Sequence, residues 1–274
     1  MQINPDILTY SEGVMGHNFH RNLPLYPKWK KVIRLLEEGA GIPEIAAATI
    51  DASREGVEEL IKDRCSIYAL WLLTQIPSAA SSEDFPQRLQ QLNLPVSEDP
   101  NLFDIMGAFS KAVDTYVEEK GEPSDFVEMV QMSAVESLTD IAGGDSPTLF
   151  QETTSKIQDR LKEYDSAEHF RDLAREFFGR LVNRYMDTFL STELPNHVGE
   201  NKRFANISEY TQFSESLYAY SRSASRKVEE FAGNWYSRTR FNGGITEKKA
   251  GDFLQEAMTM VTTELERGGP VGED

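Results

Sequence analysis

The stretch "EEGAGIPEIAAATIDASREGVEELI", residues 37–61, decides how the N-terminal part of the chain folds. It follows an amphipathic helical pattern, and Gly39 fits the left-handed position that commonly ends a helix. Pro43 fits the first turn of a short second helix, where no amide proton is needed. Ser53 can cap a third helix, whose apolar periodicity continues toward Ile76. The stretch therefore predicts three consecutive helices joined by short turns.

The spacing of small and apolar residues in these helices carries a resemblance to a known family. The residues that form the pattern are Ile33, Leu35, Leu36, Gly39, Glu44, Ile45, Ala46, Ser53, Val57, Leu60 and Ile61. Over about residues 30–64 the pattern is similar to the helix-turn-helix family, whose recognition helix enters the major groove of DNA. The resemblance implies a set of DNA contacts formed by Arg34, Ser53, Arg54, Lys62 and Arg64.

The charge of the third helix favours a different interpretation of the same pattern. From Ser53 to Arg64 the acidic residues Glu55, Glu58, Glu59 and Asp63 outnumber the basic residues Arg54, Lys62 and Arg64. A recognition helix approaches the phosphates of two strands, so a net negative helix lowers the affinity for DNA. The spacing from Ala46 to Ser53 is also one residue longer than is common in the family. The alternative prediction is that these helices pack in a larger bundle or contact a protein.

Periodicity and composition along the whole chain predict an all-α fold. The 274 residues are 39% hydrophobic and 10% aromatic, which is enough apolar material for a core. Alternating β-branched runs are nearly absent, whereas helical periodicity recurs together with capping residues such as Ser124, Ser146 and Thr246. We expect a multi-helix bundle of roughly nine helices, including a long one over about 208–236, with a helix-turn-helix-like unit at its N-terminus.

The distribution of prolines predicts where the chain divides. Residues 77–100 hold four of the twelve prolines, interrupted by a short helix around "PQRLQQLN". The predicted organisation is an irregular N-terminus with the helix-turn-helix-like unit over 1–76, a Pro-rich linker over 77–100, a helical bundle over 101–267 and a flexible tail over 268–274.

The overall charge and the apolar runs indicate where in the cell the protein is located. The formal net charge is −17 and the pI is about 4.7, and such a surface repels phosphate backbones and anionic membranes. The single cysteine, Cys65, lies in an apolar helical run and permits no internal disulfide. No signal-peptide pattern is visible at the N-terminus, and the longest apolar run is well below the ~20 residues of a membrane span. We therefore expect a cytoplasmic protein without a membrane partner.

A basic and aromatic segment near the C-terminus contrasts with the acidic chain. Residues 200–249 contain nine basic and six acidic residues, a local balance of +3. The candidate interface residues there are Arg226, Trp235, Tyr236, Arg238, Arg240 and Phe241. Aromatic rings beside guanidinium groups are typical of protein interfaces and of single-stranded nucleic-acid sites. In the alternative interpretation, Trp235 and Phe241 pack against the last helix and the arginines pair with the chain's own carboxylates.

No pattern of catalytic residues stands out. His17 and His20 are three residues apart, but a zinc site needs three or four ligands and no third is evident nearby. The chain has no Gly-rich phosphate loop, no nucleophile elbow and no dinucleotide fingerprint. We therefore predict no catalytic, cofactor-binding or metal-binding residue.

These observations rank three functions. The first is a non-catalytic helical subunit or adaptor that acts through protein–protein binding within a larger assembly. The second is a dimeric DNA-binding regulator that uses the helix-turn-helix-like segment. The third is an enzyme whose site is not visible in the sequence. A protein partner is expected, and a nucleic-acid partner and a homo-oligomer both remain open.

Overall fold

The computed structural model describes residues 27–120, 124–143 and 153–268. These ranges form twelve α-helices and contain no β-strand, so the predicted all-α fold is confirmed. In chain order the helices are α1 (Pro27–Glu37), α2 (Ile42–Ala52), α3 (Arg54–Leu60), α4 (Arg64–Ala80), α5 (Phe85–Gln91), α6 (Leu102–Lys120), α7 (Asp125–Gly143), α8 (Thr154–Glu163), α9 (Ala167–Leu190), α10 (Ile207–Ala224), α11 (Arg226–Phe241) and α12 (Glu247–Arg267).

The twelve helices of the described ranges exceed the predicted nine, chiefly because two long predicted helices are each divided. The helix expected to run from Ser53 toward Ile76 is interrupted after α3. The carboxylate of Asp63 accepts a hydrogen bond from the amide of Ser66 at 2.6 Å, and this cap starts α4. The predicted cap at Ser53 is not formed, because its hydroxyl donates to the carbonyl of Thr49 at 2.8 Å. A serine hydroxyl that bonds back to the preceding turn is unavailable to the following amides.

The second divided helix is the one expected over 208–236. It consists of α10 and α11, which meet at Ser225. Ser225 is buried, and its hydroxyl donates to the carbonyl of Ser221 at 2.9 Å. The division separates a helix that packs on the C-terminal half of α9 from one that packs on its N-terminal half.

Helix α9 lies at the centre of this bundle, and α10 and α11 run antiparallel to it. Arg222 at the end of α10 pairs with Glu176 near the middle of α9. Arg240 at the end of α11 contacts Asp165, which lies just before α9. Five aromatic side chains of α9 are buried in the core: Phe170, Phe177, Phe178, Tyr185 and Phe189. The apolar surface of α9 therefore holds both halves of the divided helix.

One hydrophobic core joins the N-terminal helices to the C-terminal ones. Trp29 of α1 packs against Phe189 of α9, with ring centroids 6.4 Å apart. On another part of α9, the ring of Phe178 meets that of Phe253 in α12 edge-on at 5.6 Å. The earliest and the latest described helices thus pack on the same central helix.

The Pro-rich residues 77–100 also contribute to this core. Helix α4 continues through Pro77 to Ala80, and the short helix predicted in this segment is present as α5. The buried apolar side chains of the segment include Ala79, Ala80, Phe85, Leu89, Leu94 and Val96. The division of the chain into an N-terminal unit, a linker and a bundle stays a prediction.

Two of the predicted caps are formed. The hydroxyl of Thr246 accepts a hydrogen bond from the amide of Lys249 at 3.3 Å at the start of α12. The hydroxyl of Ser124 accepts one from the amide of Val127 at 3.3 Å before α7. The cap predicted at Ser146 lies outside the described residues.

A group of ion pairs ties α7, α9 and α10 together. Arg180 of α9 lies 3.6 Å from Glu136 and also contacts Asp140, both on α7, and it is 3.1 Å from Glu176. Burial opposes ionisation of Glu176, but its hydrogen bond and charge interaction with Arg222, supported by Arg180, hold its pKa below the usual value. The charged form of Glu176 is therefore the one that the fold favours.

Gly233 marks the closest approach of α11 to α9. A Cβ atom at this position would lie 2.7 Å from Cγ of Arg171 and 3.1 Å from the carbonyl oxygen of Ala167. The arginine side chain can move aside, whereas the backbone carbonyl cannot. A glycine at this point lets the two helices pack at their observed separation.

We expect Gly233→Leu to lower the free energy of unfolding by about 1–3 kcal/mol, because the side chain forces α11 away from α9. Gly107→Leu on α6 is the matched control, since a Cβ there has no neighbour within 4 Å. Its effect should stay within about 0.5 kcal/mol or be stabilising. Urea unfolding followed by circular dichroism measures both variants. Equal losses would contradict the close contact.

Candidate functional site

Arg54, a predicted DNA contact, is paired within the chain. Its Nη2 atom lies 2.5 Å from Oε1 of Glu266 in α12 and 3.8 Å from Oδ1 of Asp51. The guanidinium group thus links α3 to the last helix. A phosphate that bound Arg54 would compete with two carboxylates of this chain.

The other basic residues of this set have different surroundings. Arg34 of α1 lies 3.9 Å from Glu38 in the turn that follows this helix. Lys62 and Arg64 are exposed, and neither forms an ion pair with a described residue. These two side chains remain available to a partner.

Ser53, the remaining member of the set, lies between α3 and α9. It is only 5% exposed, and its carbonyl accepts a hydrogen bond from the phenolic hydroxyl of Tyr185. Burial raises the pKa of Tyr185, so the hydroxyl keeps its proton and remains a donor near neutral pH. The start of α3 is therefore covered by the central helix.

The outward face of α3 is mainly acidic. Its buried residues are Gly56, Val57 and Leu60. Its exposed residues are Arg54, Glu55, Glu58 and Glu59. A DNA backbone approaching this face would meet one guanidinium group and three carboxylates, which is unfavourable for phosphate binding.

Helix α1 has a basic face that lies outside the predicted set of DNA contacts. Lys28 pairs with Asp51 at 2.8 Å, whereas Lys30 and Lys31 are exposed without an ion pair to a described residue. The run "KWKK" is the signal that would have identified them. Trp29 within this run is buried on the opposite, apolar side of α1.

Two aromatic residues of the predicted C-terminal interface pack inward: Tyr236 belongs to the core, and Trp235 is half-buried against it. The ring of Trp235 stacks on that of Phe253 at 4.2 Å between centroids and lies 5.9 Å from that of Phe170. The ring of Tyr236 stacks on that of Phe170 at 4.2 Å, and its hydroxyl donates to Asp165 at 2.7 Å. These contacts stabilise the packing of α11 on α9 and α12.

Arg240 is also engaged by its own chain. It forms an ion pair with Asp165, and its Nη1 atom donates to the hydroxyl of Tyr236 at 3.2 Å. Its guanidinium carbon lies 5.7 Å from the centre of the Tyr236 ring. This part of the segment packs as the alternative interpretation describes.

The exposed end of α11 differs from the rest of the segment. Phe241 is 91% exposed, and Arg238, one helical turn earlier, is exposed without an ion pair to a described residue. We call Arg238, Phe241 and the exposed Asn242 the α11 tip. Arg226 begins the same helix about 22 Å away, so the structure does not place it at this tip.

The turn that follows the α11 tip is held by several hydrogen bonds. Nζ of Lys249 donates to the carbonyls of Asn242 at 2.9 Å and Gly244 at 2.8 Å. Nε1 of Trp71 donates to the carbonyl of Ile245 at 3.0 Å. The two glycines of the turn adopt positive φ values of 88° and 86°, which other residues rarely adopt. The exposed phenyl ring therefore lies beside a well-fixed turn.

Within the described ranges, no three His, Cys, Asp or Glu side chains are arranged to hold a metal ion. The predicted pair His17 and His20 lies outside these ranges. No helix among the described residues is long and apolar enough to cross a membrane. Cys65 is buried in α4, as its apolar surroundings in the sequence indicate.

Comparison of the chain with protein-family models, with curated proteins and with solved structures found no match.

We expect Tyr185→Phe to lower the free energy of unfolding by about 1 kcal/mol, because the carbonyl of Ser53 loses its donor from α9. Tyr220→Phe is the matched control, since the buried hydroxyl of Tyr220 has no hydrogen-bond partner among the described residues. Removing that hydroxyl should leave the stability unchanged or raise it slightly. Thermal and urea unfolding measure both. A neutral Tyr185→Phe variant would show that this hydrogen bond does not hold α3 on α9.

Proposed function

We propose that the chain is a non-catalytic helical subunit or adaptor, and that it binds a protein partner through the α11 tip. The observation that carries the proposal is Phe241, an aromatic ring that is 91% exposed beside a fixed turn. Phe and Arg are enriched in the buried centres of protein interfaces. A ring displayed on a rigid element loses little conformational entropy when a partner covers it.

The side chains of the α11 tip indicate which surface groups the partner presents. Phe241 requires an apolar pocket, and Arg238 requires a carboxylate close to the rim of that pocket. The surrounding residues 200–249 carry a local balance of +3 in a chain of net charge −17. The expected partner is therefore a protein with an apolar pocket bordered by acidic residues.

The test uses immobilised wild-type protein, Phe241→Asp and the control Ile207→Asp. Ile207 is 73% exposed and begins α10, at the opposite end of the α10–α11 pair. Proteins bound from an extract of the source organism are quantified by mass spectrometry. A partner that is lost with Phe241→Asp but retained with Ile207→Asp is then purified and titrated.

For that partner we expect Phe241→Asp to raise the Kd by about 30-fold or more, the size of an interface hot spot. Ile207→Asp should leave the Kd unchanged, and both variants should unfold within about 0.5 kcal/mol of the wild type because both side chains are exposed. Identical partner sets for the two variants would refute binding at the α11 tip. Light scattering of the purified chain shows whether the partner is a second copy.

The alternative function is DNA binding through the N-terminal helices. It is favoured by one observation: the side chains of Lys30, Lys31, Lys62 and Arg64 are exposed and form no ion pair with a described residue. In helix-turn-helix proteins the helix before the recognition helix crosses the phosphate backbone. The acidic outward face of α3 opposes this function, so we place it second.

We expect no saturable binding of a labelled random-sequence DNA duplex at physiological salt, measured by fluorescence anisotropy. Two double variants should then give the same anisotropy as the wild type: Lys30→Glu/Lys31→Glu and Arg54→Glu/Lys62→Glu. Binding that weakens steeply with salt and is lost in these variants would favour the DNA-binding alternative instead.

A further inference from the structure

A cavity of about 400 Å³ opens where α4, α6 and the start of α12 meet. Its walls include three aromatic and three charged side chains: Tyr68, Trp71, Tyr116, Lys111, Glu119 and Glu247. The volume lies at the lower end of the range for small-molecule sites. We call this cavity the aromatic cleft.

The aromatic wall of the cleft is well fixed. The rings of Tyr68 and Tyr116 stack almost in parallel, with centroids 4.0 Å apart and planes 5° apart. The ring of Trp71 lies 5.6 Å from that of Tyr68, and its Nε1 atom is bound to the carbonyl of Ile245. The three rings therefore need little rearrangement to contact a ligand.

The charged side chains that line the cleft have a net charge of −1, because Glu119 and Glu247 oppose Lys111. Lys120, outside this lining, adds one positive charge beside the Tyr116 ring. The hydroxyl of Tyr116 donates to Oε2 of Glu247 at 3.3 Å. Burial, and then the charge of Glu247, raise the pKa of both Tyr68 and Tyr116, so their hydroxyls stay neutral.

The chain itself already places a cation against this wall. The ammonium nitrogen of Lys120 lies 5.1 Å from the centre of the Tyr116 ring. An ammonium group over an aromatic face is attracted by the negative face of the ring. The aromatic wall and the carboxylates therefore both favour a positively charged group.

We propose that the aromatic cleft binds a small organic cation, a primary ammonium group carried on an apolar or aromatic body. The ammonium group lies between Glu119 and Glu247, and the apolar body packs on Trp71 and the tyrosine pair. The position of these two carboxylates selects the cation over neutral or anionic molecules of the same shape. The proposal is independent of partner binding at the α11 tip.

The test compares three probes with the same phenyl body: 2-phenylethylamine, 2-phenylethanol and 3-phenylpropionate. Binding to the full chain is followed by nuclear magnetic resonance through the indole N–H signal of Trp71, which is assigned by its absence in Trp71→Phe. Titration calorimetry gives the Kd values. We expect the amine to bind at least about fivefold more tightly than the alcohol, and the carboxylate to bind most weakly.

The variants Glu119→Gln and Glu247→Gln should each weaken amine binding by about fivefold, with little effect on the alcohol. Glu118→Gln is the matched control, because it removes the same charge from the adjacent position of α6 outside the cleft lining. It should leave the preference for the amine unchanged. Thermal unfolding confirms that each variant folds.

Any of three results would overturn the proposal. One is a failure of 2-phenylethylamine to shift the Trp71 signal at millimolar concentration. Another is an equal affinity for the amine and the alcohol in the wild-type protein, which would show that the carboxylates do not select the ligand. A preference that survives in both glutamine variants would place the selecting charge elsewhere and would also overturn it.

Discussion

Burial of the apolar surface of α9 is the constraint on which the rest of the structure depends. This helix carries five buried aromatic side chains, and α7, α10, α11 and α12 all pack against it. Trp29 of α1 reaches its C-terminal end through Phe189. Because so many contacts converge on one helix, the orientation of each neighbour is fixed by its fit to α9. The glycine at position 233 and the division at Ser225 both serve that fit.

A second feature links the packed interior to the functional candidates. The turn between α11 and α12 is held by Lys249 from one side and by Trp71 from the other. Trp71 also forms part of the wall of the aromatic cleft. The exposed Phe241 and the cleft therefore depend on the same well-ordered turn. A rigid surface at this point favours binding, because few side chains lose conformational freedom when a ligand or a partner binds.

The distribution of charge distinguishes the candidate partners. A chain of net charge −17 can bind a polyanion only through a concentrated basic surface. The exposed basic side chains form two groups, one in α1 and one after α3. The acidic outward face of α3 lies between these groups in the sequence. The α11 tip combines one arginine with an exposed phenyl ring. This combination fits a protein pocket better than a phosphate backbone, because the phenyl ring provides mainly apolar contact.

The candidate sites could be predicted only in part from the sequence. The segment around α11 was identified by its composition, but composition treats all of its aromatic and basic residues alike. One side of α11 meets α9 and α12, and it carries Trp235, Tyr236 and Arg240. Phe241 lies outside this side and is exposed. The aromatic cleft could not be predicted, because Tyr68, Tyr116 and Glu247 come from three helices that are distant in the chain.

Local patterns in the sequence by themselves determined the all-α class, the caps at Ser124 and Thr246, and the burial of residues such as Trp29 and Cys65. These features depend on neighbours within one or two helical turns, which a sequence displays directly. The breaks before α4 and at Ser225 also coincide with local hydrogen bonds, which join Ser66 to Asp63 and Ser225 to Ser221. Only the tertiary structure decided the covering of Ser53 by Tyr185 and the exposure of Phe241. Each of these depends on which surface of a distant helix lies opposite, and helical periodicity carries no information about that surface.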